Sequence, residues 1–232
     1  MKSRTIIQFS FVAVLVILGC RNSEVVTTED KIQQPQTTLG APANEVDLFD
    51  GQTLANWKAT NFGGEGDVSV VDGTIQLDTG HPMTGITWGG DELPKTDYEI
   101  SIEAKRVEGG DFFCGLTFPV AQSHCTLIVG GWGGTLVGLS SIDGSDASDN
   151  QTTQFHDFDD DRWYRFRIHV KPDSITVWMD DKEIIQQPLE GHAVSIRNET
   201  LPCRPLGICS FETLAGLRNI KLRTYSSQPT GN

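Results

Sequence analysis

Alternation of apolar and polar residues marks several short segments, and this pattern constrains the fold more than any other feature. In YEISIEAKRV (98–107) and RWYRFRIHV (162–170) apolar residues fall at alternate positions, as in a strand with one buried face. VSVVDGTIQL (68–77) has an Asp-Gly pair between two such runs, which is a strong hairpin signal, and SITVWMDDKEII (174–185) indicates strand, turn and strand. No sustained helical period is found. The sequence therefore predicts an all-β protein, an antiparallel β-sandwich in a single domain.

The first twenty residues have the features of a bacterial lipoprotein signal. Two basic residues precede a continuous apolar run from Phe11 to Leu18, which is too short for the ~20 residues of a membrane span. ILGC (17–20) then resembles the bacterial lipobox, in which the chain is cleaved before the cysteine and the cysteine is lipidated. We therefore expect a signal peptide over 1–19 and lipidation of Cys20. The alternative is an ordinary secretory signal followed by an unrelated cysteine.

Composition divides the rest of the chain. Residues 20–45 comprise the lipidated cysteine and a Thr-, Gln- and Pro-rich stretch, typical of a flexible tether. The folded domain is expected over 46–225, a length that supports one full core, and 226–232 is a short tail. The net charge of −13 disfavours nucleic acid as a partner. We expect the protein in the bacterial cell envelope, periplasmic or outer-membrane-associated, with membrane contact only through its N-terminal lipid.

The polar positions of the predicted strands form a candidate binding surface. A solvated sheet face is the simpler interpretation for each of these side chains taken singly. Trp178 is the exception, because its neighbours at alternate positions already supply the apolar side of the strand. A large ring on a polar sheet face suits stacking on a sugar ring. The residues predicted on this polar face are Glu103, Lys105, Arg165, Arg167, His169, Thr176 and Trp178.

Three segments of the chain resemble one family. LFDGQTLANW (48–57) resembles the opening motif of the bacterial 3-keto-disaccharide hydrolase domain family. RWYR (162–165) resembles part of its middle, and GICSF (207–211) with LRNIKL (217–222) resembles its closing strands. The resemblance spans 46–225 and implies a concanavalin-like jelly roll. It also implies an oligosaccharide or glycoside substrate.

The activity of that family defines what a site must supply. A ketone at C3 of a sugar acidifies the hydrogen at C2, so a base removes it, the C1 substituent leaves and water adds back. The site needs a base and a group that stabilises the enolate oxygen. We expect Glu103 as the base and Lys105 and Arg167 as enolate stabilisers, with Arg165 and Trp178 binding substrate. No cofactor is expected.

One departure from the family leaves a second function open. Many relatives carry an acidic, Gln-containing strand near the middle of the domain, whereas HCTLIVGGW (124–132) contains no carboxylate. If that strand supplies the catalytic group, the chain is a non-catalytic carbohydrate-binding module on the same fold. His124, Trp132 and Asp143 are then expected at the rim of the cleft, as they are for an enzyme.

The cysteines suggest a stapled scaffold. Residues 112–118 and 126–129 are predicted strands of a hairpin, joined by the loop PVAQSH. With Cys20 lipidated, three pairings of the other four cysteines are possible, and the most local joins Cys114 to Cys125 and Cys203 to Cys209. Buried free thiols are the alternative. A zinc site at Cys114, His124 and Cys125 is disfavoured, because adjacent residues on a strand point to opposite faces.

Overall fold

The protein is a sandwich of two antiparallel sheets. The structure, a computed structural model, describes residues 42–225. The predicted signal peptide, the lipidation site at Cys20 and the tail at 226–232 lie outside the described residues. Within 42–225, no helix is long and apolar enough to cross a membrane. The two sheets confirm the predicted all-β fold.

Fifteen strands build the described part of the domain, and most are shorter than eight residues. They are β1 (Pro42–Asp47), β2 (Trp57–Ala59), β3 (Val68–Val71), β4 (Thr74–Leu77), β5 (Met83–Trp88), β6 (Tyr98–Gly109), β7 (Cys114–Val120), β8 (Ser123–Gly130), β9 (Leu136–Ser140), β10 (Gln154–Phe155), β11 (Tyr164–Val170), β12 (Ser174–Met179), β13 (Lys182–Pro188), β14 (Gly207–Phe211) and β15 (Thr213–Tyr225). A 3₁₀ helix covers Asn198–Cys203.

The strands form one eight-stranded and one seven-stranded sheet. The first has the order β13-β12-β11-β6-β15-β4-β3, with β1 also paired to β15, and the second has the order β10-β9-β8-β7-β14-β5-β2. All pairings between these strands are antiparallel. The alternation of each strand buries one face between the sheets, so that Ile102 and Phe166 are 1 % and 0 % exposed while Glu103 and Arg165 pair on the outer face.

The opening motif of the domain has a structural purpose. Leu48 and Trp57 are buried, and the indole Nε1–H of Trp57 donates to the carbonyl of Leu48 at 2.8 Å. Between them Asp50 accepts the backbone N–H groups of Gln52 and Thr53 at 2.7 and 2.8 Å. The carboxylate therefore closes the turn that returns the chain to the core.

Two details differ from the sequence prediction. Strand β1 begins at Pro42, inside the stretch expected to be tether, where Glu45 bonds to Lys221 and Arg223 of β15. The hairpin β7–β8 has only a short turn, since Pro119 pairs with His124 within the ladder. Proline is tolerated there because β14 pairs with β7 only as far as Thr117, so that Pro119 lies on a free edge.

A second apolar cluster covers the outer face of the seven-stranded sheet. On β8 the residues Leu127 and Val129 enter the main core, whereas Ile128 between them belongs to this outer cluster. The segment 141–150 and the 3₁₀ helix lie over this face, as shown by Ala147 beside Gly138 and by contacts of the helix with β5 and β14. The buried members are Met83, Phe112, Ile128, Leu136, Ala147, Cys203 and Cys209.

Candidate functional site

The structure contains neither of the predicted disulfides. All four cysteines in 42–225 are buried free thiols. Cys114 lies opposite Val129 and Cys125 opposite Phe118, because the short hairpin turn sets a register that separates the two cysteines along the ladder. Burial raises the pKa of Cys114 and that of Cys125 to about 12, so both are inert scaffold thiols.

The second predicted pair is closer together. Cys203 ends the 3₁₀ helix and Cys209 lies on β14, and both belong to the outer apolar cluster. A hydrogen bond with Cys203, followed by burial, raises the pKa of the Cys209 thiol. The two residues therefore contact each other as thiols beneath the outer face of the sheet.

Glu103 lies on the outer face of the eight-stranded sheet and holds two residues of the closing motif. Its carboxylate accepts Nε–H of Arg218 at 2.7 Å and Nδ2–H of Asn219 at 2.9 Å. These residues form the irregularity of β15, where the register shifts between Arg218 and Lys221. Burial raises the pKa of Glu103, but the hydrogen bonds and the charges of Arg218 and Arg165 outweigh it, so the pKa is lowered overall. These contacts make Glu103 a brace for a β-bulge.

The other predicted residues of this face also have protein partners. Lys105 pairs with Asp161 at 2.8 Å, and Arg165 pairs with Asp181. Arg167 donates to the buried Glu99 at 3.0 Å and lies over the ring of Trp178, 4.6 Å from its centroid. The guanidinium therefore occupies the ring face that the sequence suggests for a sugar. The catalytic and binding roles of these residues stay predictions.

His124 and Asp143 occupy other positions. His124 lines a cleft of about 260 Å³ with Glu92 and Lys95, at the start of β8. Burial, with the charges of Arg204 and Lys95, lowers its pKa. Asp143 accepts Nδ1 of His192 at 2.7 Å and the backbone N–H of Ala193 at 2.7 Å. The hydrogen bond from His192 is the largest cause of the lowered pKa of Asp143. These contacts connect the turn at Asp143 to the segment 192–193.

A cleft of about 240 Å³ opens on the outer face of the seven-stranded sheet, beyond the end of β8. We call it the Trp132 cleft. Its floor is the outer apolar cluster, and charged side chains and one exposed aromatic ring form its walls. The lining residues are Pro82, Met83, Asp111, Phe112, Ile128, Trp132, Arg197, Glu199, Thr200 and Phe211.

Trp132 is the exposed ring of this cleft. It lies in the Gly131–Gly134 turn with φ 49° and ψ 53°, a left-handed conformation, and it is 46 % exposed. Bulky residues rarely adopt this backbone, and such residues are concentrated at functional sites. The flanking glycines permit the turn, since Gly133 also has a positive φ of 89°.

Asp111 connects the Trp132 turn to the rest of the cleft. It lies between β6 and β7, and its Oδ1 accepts the N–H of Phe112 at 2.7 Å. Its Oδ2 accepts the N–H of Gly133, next to Trp132, at 3.3 Å. The carboxylate is therefore held by backbone donors at the edge of the exposed ring.

Arg197 and Glu199 form the opposite charged wall. Arg197 Nη2–H donates to Glu199 Oε1 at 2.8 Å, and Arg197 also pairs with Asp146. The hydrogen bond from Arg197 is the largest cause of the lowered pKa of Glu199, and the bond to Glu199 is the largest cause of the raised pKa of Arg197. Both groups are charged at neutral pH. Thr200, whose hydroxyl donates to the Arg197 carbonyl at 3.0 Å, fixes the segment that carries them.

The Trp132 cleft combines what a sugar site requires. An aromatic ring and an apolar floor match the faces of a pyranose, while two carboxylates and a guanidinium match its polar edge. No group of three or more His, Cys, Asp or Glu residues in the described part of the chain is arranged to hold a metal ion.

Of the residues of this cleft, the sequence analysis identified only Trp132. The signal was a tryptophan inside a glycine run. Asp111, Arg197 and Glu199 come from separate connections and carry no local pattern. The one weak signal that could have identified Asp111 is its position between a long predicted strand and Phe112-Phe113.

Several solved structures are similar to this chain in fold. The apo Crh5 transglycosylase has a TM-score of 0.52 and 13 % identity, covering 82 % of this chain and 87 % of that one. The exoplasmic/lumenal domain of VIP36, in its Ca²⁺/Man3GlcNAc-bound form, has a TM-score of 0.52 and 11 % identity, covering 79 % and 90 %. The carbohydrate binding module CBM66 from Bacillus subtilis has a TM-score of 0.48 and 13 % identity, covering 73 % and 96 %. The two structures with a TM-score of 0.52 confirm the predicted jelly roll.

Comparison of sequences gives the family. No curated protein matches the chain significantly. Residues 44–223 match the 3-keto-alpha-glucoside-1,2-lyase-like domain, which covers nearly all of the described fold and includes the Trp132 cleft. The chain therefore belongs to the 3-keto-alpha-glucoside-1,2-lyase-like domain family.

Proposed function

We propose that the protein binds a 3-keto glycoside in the Trp132 cleft and cleaves it by elimination followed by hydration. The observation that carries this proposal is the convergence of an exposed left-handed tryptophan, two carboxylates and an arginine around one apolar cleft. Family membership and the jelly-roll fold support a sugar as the ligand. The hydrolase named by the sequence resemblance and the lyase of the family description share the elimination step.

The proposal gives each cleft residue a role. The sugar ring stacks on Trp132, which places its polar edge between Asp111 and Arg197. Asp111 removes the proton from C2, and the guanidinium of Arg197 stabilises the negative charge that develops on the C3 oxygen. The C1–O bond then breaks, and the proton that Asp111 removed passes to the leaving oxygen of the aglycone, which regenerates the carboxylate. Addition of water across the C1–C2 double bond then completes a net hydrolysis.

Carbohydrate binding without turnover is the second candidate function. It is favoured by the absence of a carboxylate from residues 124–132. It is also consistent with Asp111, whose two oxygens already accept backbone N–H groups. In this case the same cleft binds sugar and none of its groups transfers a proton.

Turnover of a small substrate separates the candidates. Methyl 3-keto-α-glucopyranoside is incubated with the protein and its variants, and the released free sugar is measured. We expect Asp111→Asn, which retains an oxygen for the turn, to lower kcat by at least about 100-fold, the usual contribution of a general base. Trp132→Ala is expected to raise KM by up to about tenfold through the loss of stacking. Asp173→Asn, an exposed aspartate on the opposite sheet, is the control.

Each alternative has its own outcome. Loss of turnover in Glu103→Gln, with Asp111→Asn still active, would move the reaction to the eight-stranded sheet. Saccharide binding that depends on Trp132, without turnover by the wild type, would establish the binding module. Binding that is unaffected by Trp132→Ala would exclude the cleft altogether.

We also propose that the protein is anchored in the bacterial cell envelope through Cys20. The support is the N-terminal sequence alone, with its short apolar run and lipobox-like ILGC. Mass spectrometry of the mature N-terminus is expected to show an acylated Cys20. An unmodified N-terminus at another residue would contradict the proposal.

A further inference from the structure

A second exposed aromatic ring lies on the same sheet face as the Trp132 cleft. Phe155 is 72 % exposed, the highest value among the large apolar side chains described as exposed. It lies on β10, the edge strand of the seven-stranded sheet. An isolated exposed ring at a sheet edge normally needs no explanation. Whether Phe155 could contact a ligand therefore depends on its position relative to the cleft.

The strand register places Phe155 in line with the Trp132 turn. Phe155 pairs with Leu136 of β9, and Leu136 in turn pairs with Gly131, the residue before Trp132. Residues directly opposite each other in antiparallel strands project from the same face. Leu136 belongs to the outer apolar cluster, so Phe155 projects from the cleft side of the sheet.

The same register gives the spacing between the two rings. Two interstrand steps separate the backbone of Gly131 from that of Phe155, which corresponds to about 9–10 Å. This span exceeds the width of a single pyranose ring. Leu136, 2 % exposed, lies between them. Leu136 is therefore covered, and two exposed aromatic rings lie on the same face of the sheet, one at the cleft and one at the sheet edge.

We propose that Phe155 forms a remote sugar subsite, so that the protein prefers oligosaccharides over glycosides with a small aglycone. This inference rests on the proposed function, because Trp132 must hold the reacting ring for Phe155 to receive the ring further along. The shared sheet face and the spacing of the two rings point to saccharide as the occupant. An aromatic face suits a pyranose, and stacking requires no particular hydroxyl pattern.

Two probes of different length test the subsite. The short probe is methyl 3-keto-α-glucopyranoside, and the long probe is an α-linked glucotriose oxidised at C3 of its non-reducing ring. We expect Phe155→Ala to lower the ratio of kcat/KM for the long probe to that for the short probe by about tenfold, mainly through KM. Phe155→Trp is expected to keep the ratio. Val71→Ala, which removes an exposed apolar side chain from the other sheet, is the control.

The outcomes separate this inference from the proposed function. An unchanged ratio in Phe155→Ala, with both probes weakened by Trp132→Ala, overturns the subsite and leaves the proposed function standing. If the wild type turns over neither probe, calorimetry measures the binding of unoxidised glucotriose to the wild type and to Phe155→Ala. Weaker binding in Phe155→Ala then supports the subsite, and equal binding overturns it. A dimer of the wild type that Phe155→Ala dissociates in sedimentation also overturns it, since the ring then binds a second copy of the chain.

Discussion

At the residue scale, Trp132 and Glu103 show how exposure and contacts distinguish function from scaffold. Trp132 keeps nearly half of its surface exposed in a backbone conformation that disfavours bulky side chains. Glu103 has the residue type expected of a base, yet both of its oxygens bond to side chains of β15. The strained and exposed residue is the better candidate for ligand contact, and Glu103, which is paired with an arginine of the closing strand, is the better candidate for stability.

The backbone of Trp132 gives a stability prediction. A left-handed conformation costs a non-glycine residue about 1–2 kcal/mol. Trp132→Gly is therefore expected to be more stable than Trp132→Ala, with a free energy of unfolding about 1 kcal/mol higher. Both variants lose the ring and bind saccharide weakly. Urea denaturation of the two variants measures the difference.

Phe155 supplies the matched control for this comparison. It lies in an extended strand, where glycine is less favourable than alanine. The order of stability is therefore expected to reverse between Phe155→Gly and Phe155→Ala. The same order at both positions would show that the turn at Trp132 is not strained.

At the element scale, the 3₁₀ helix Asn198–Cys203 presents one charged wall of the cleft. A chain of buried hydroxyls attaches it to the seven-stranded sheet. Thr117 and Thr126 Oγ1 atoms are 2.8 Å apart, Thr126 Oγ1 is 3.5 Å from Thr200 Oγ1, and Thr200 donates to the Arg197 carbonyl. The position of Arg197 and Glu199 therefore depends on the sheet below.

This attachment predicts an effect at a distance from the ligand. Thr126→Val keeps the shape of the side chain but removes the hydroxyl, which leaves the buried Thr117 hydroxyl without that partner. We expect a loss of about 1–2 kcal/mol in the free energy of unfolding and weaker saccharide binding. Thr87→Val, which loses a bond to Pro202 at the far end of the same helix, is the control for stability alone. Equal binding by the wild type and Thr126→Val would show that the hydroxyl chain does not position the wall.

Sequence patterns predict the elements of this protein better than its site. Alternation identified β6 and β11, and Asp-Gly identified the β3–β4 hairpin, because one buried face imposes a period of two on each strand. The predicted pairing of β7 with β8 was wrong, because the prediction ended the first strand before Pro119. Phe155 gave no signal because β10 contains only two residues. Asp111 and Glu199 approach each other only through the packing of distant connections, which no local pattern encodes.

At the scale of the whole molecule, the two outer sheet faces differ in whether their charged and aromatic side chains already have partners within the protein. On the eight-stranded sheet, Glu99, 1 % exposed, is bonded by Arg167 and Arg223, and Trp178 is covered by Arg167. The seven-stranded sheet instead leaves an apolar cleft with charged walls. The first face therefore contributes stability, and we propose the second as the ligand-binding face.

The stability of the whole domain is expected to depend on His169. This residue is 4 % exposed and stacks on Tyr225 with centroids 4.9 Å apart. Burial, followed by Lys171 and by Arg167, lowers its pKa from 6.5 to about 4, against the opposing charge of Asp97. Below pH 6.5 the unfolded chain binds a proton that the folded domain excludes, so stability falls as the pH falls from 6.5 towards 4.

Removing the titration of His169 tests this dependence. Between pH 6.5 and 4, the drop in unfolding free energy is expected to be smaller in His169→Gln than in the wild type by at most about 3 kcal/mol. One pKa unit corresponds to about 1.4 kcal/mol. The exposed His81 provides the control variant, His81→Gln. Parallel curves for wild type and His169→Gln, measured by urea denaturation at several pH values, would contradict the assignment. Carboxylates with lowered pKa values, such as Glu103, begin to lose their own contribution as the pH falls through the unfolded value of 4.5, so they overlap the lower end of this window.

The most direct measurement is a crystal structure of the protein with methyl 3-keto-α-glucopyranoside bound to the Asp111→Asn variant. We expect the sugar ring on the indole of Trp132, with C2 facing residue 111 and the C3 oxygen facing Arg197. A sugar bound instead over Glu103 and Trp178 on the eight-stranded sheet, or in the cleft beside His124, would contradict it.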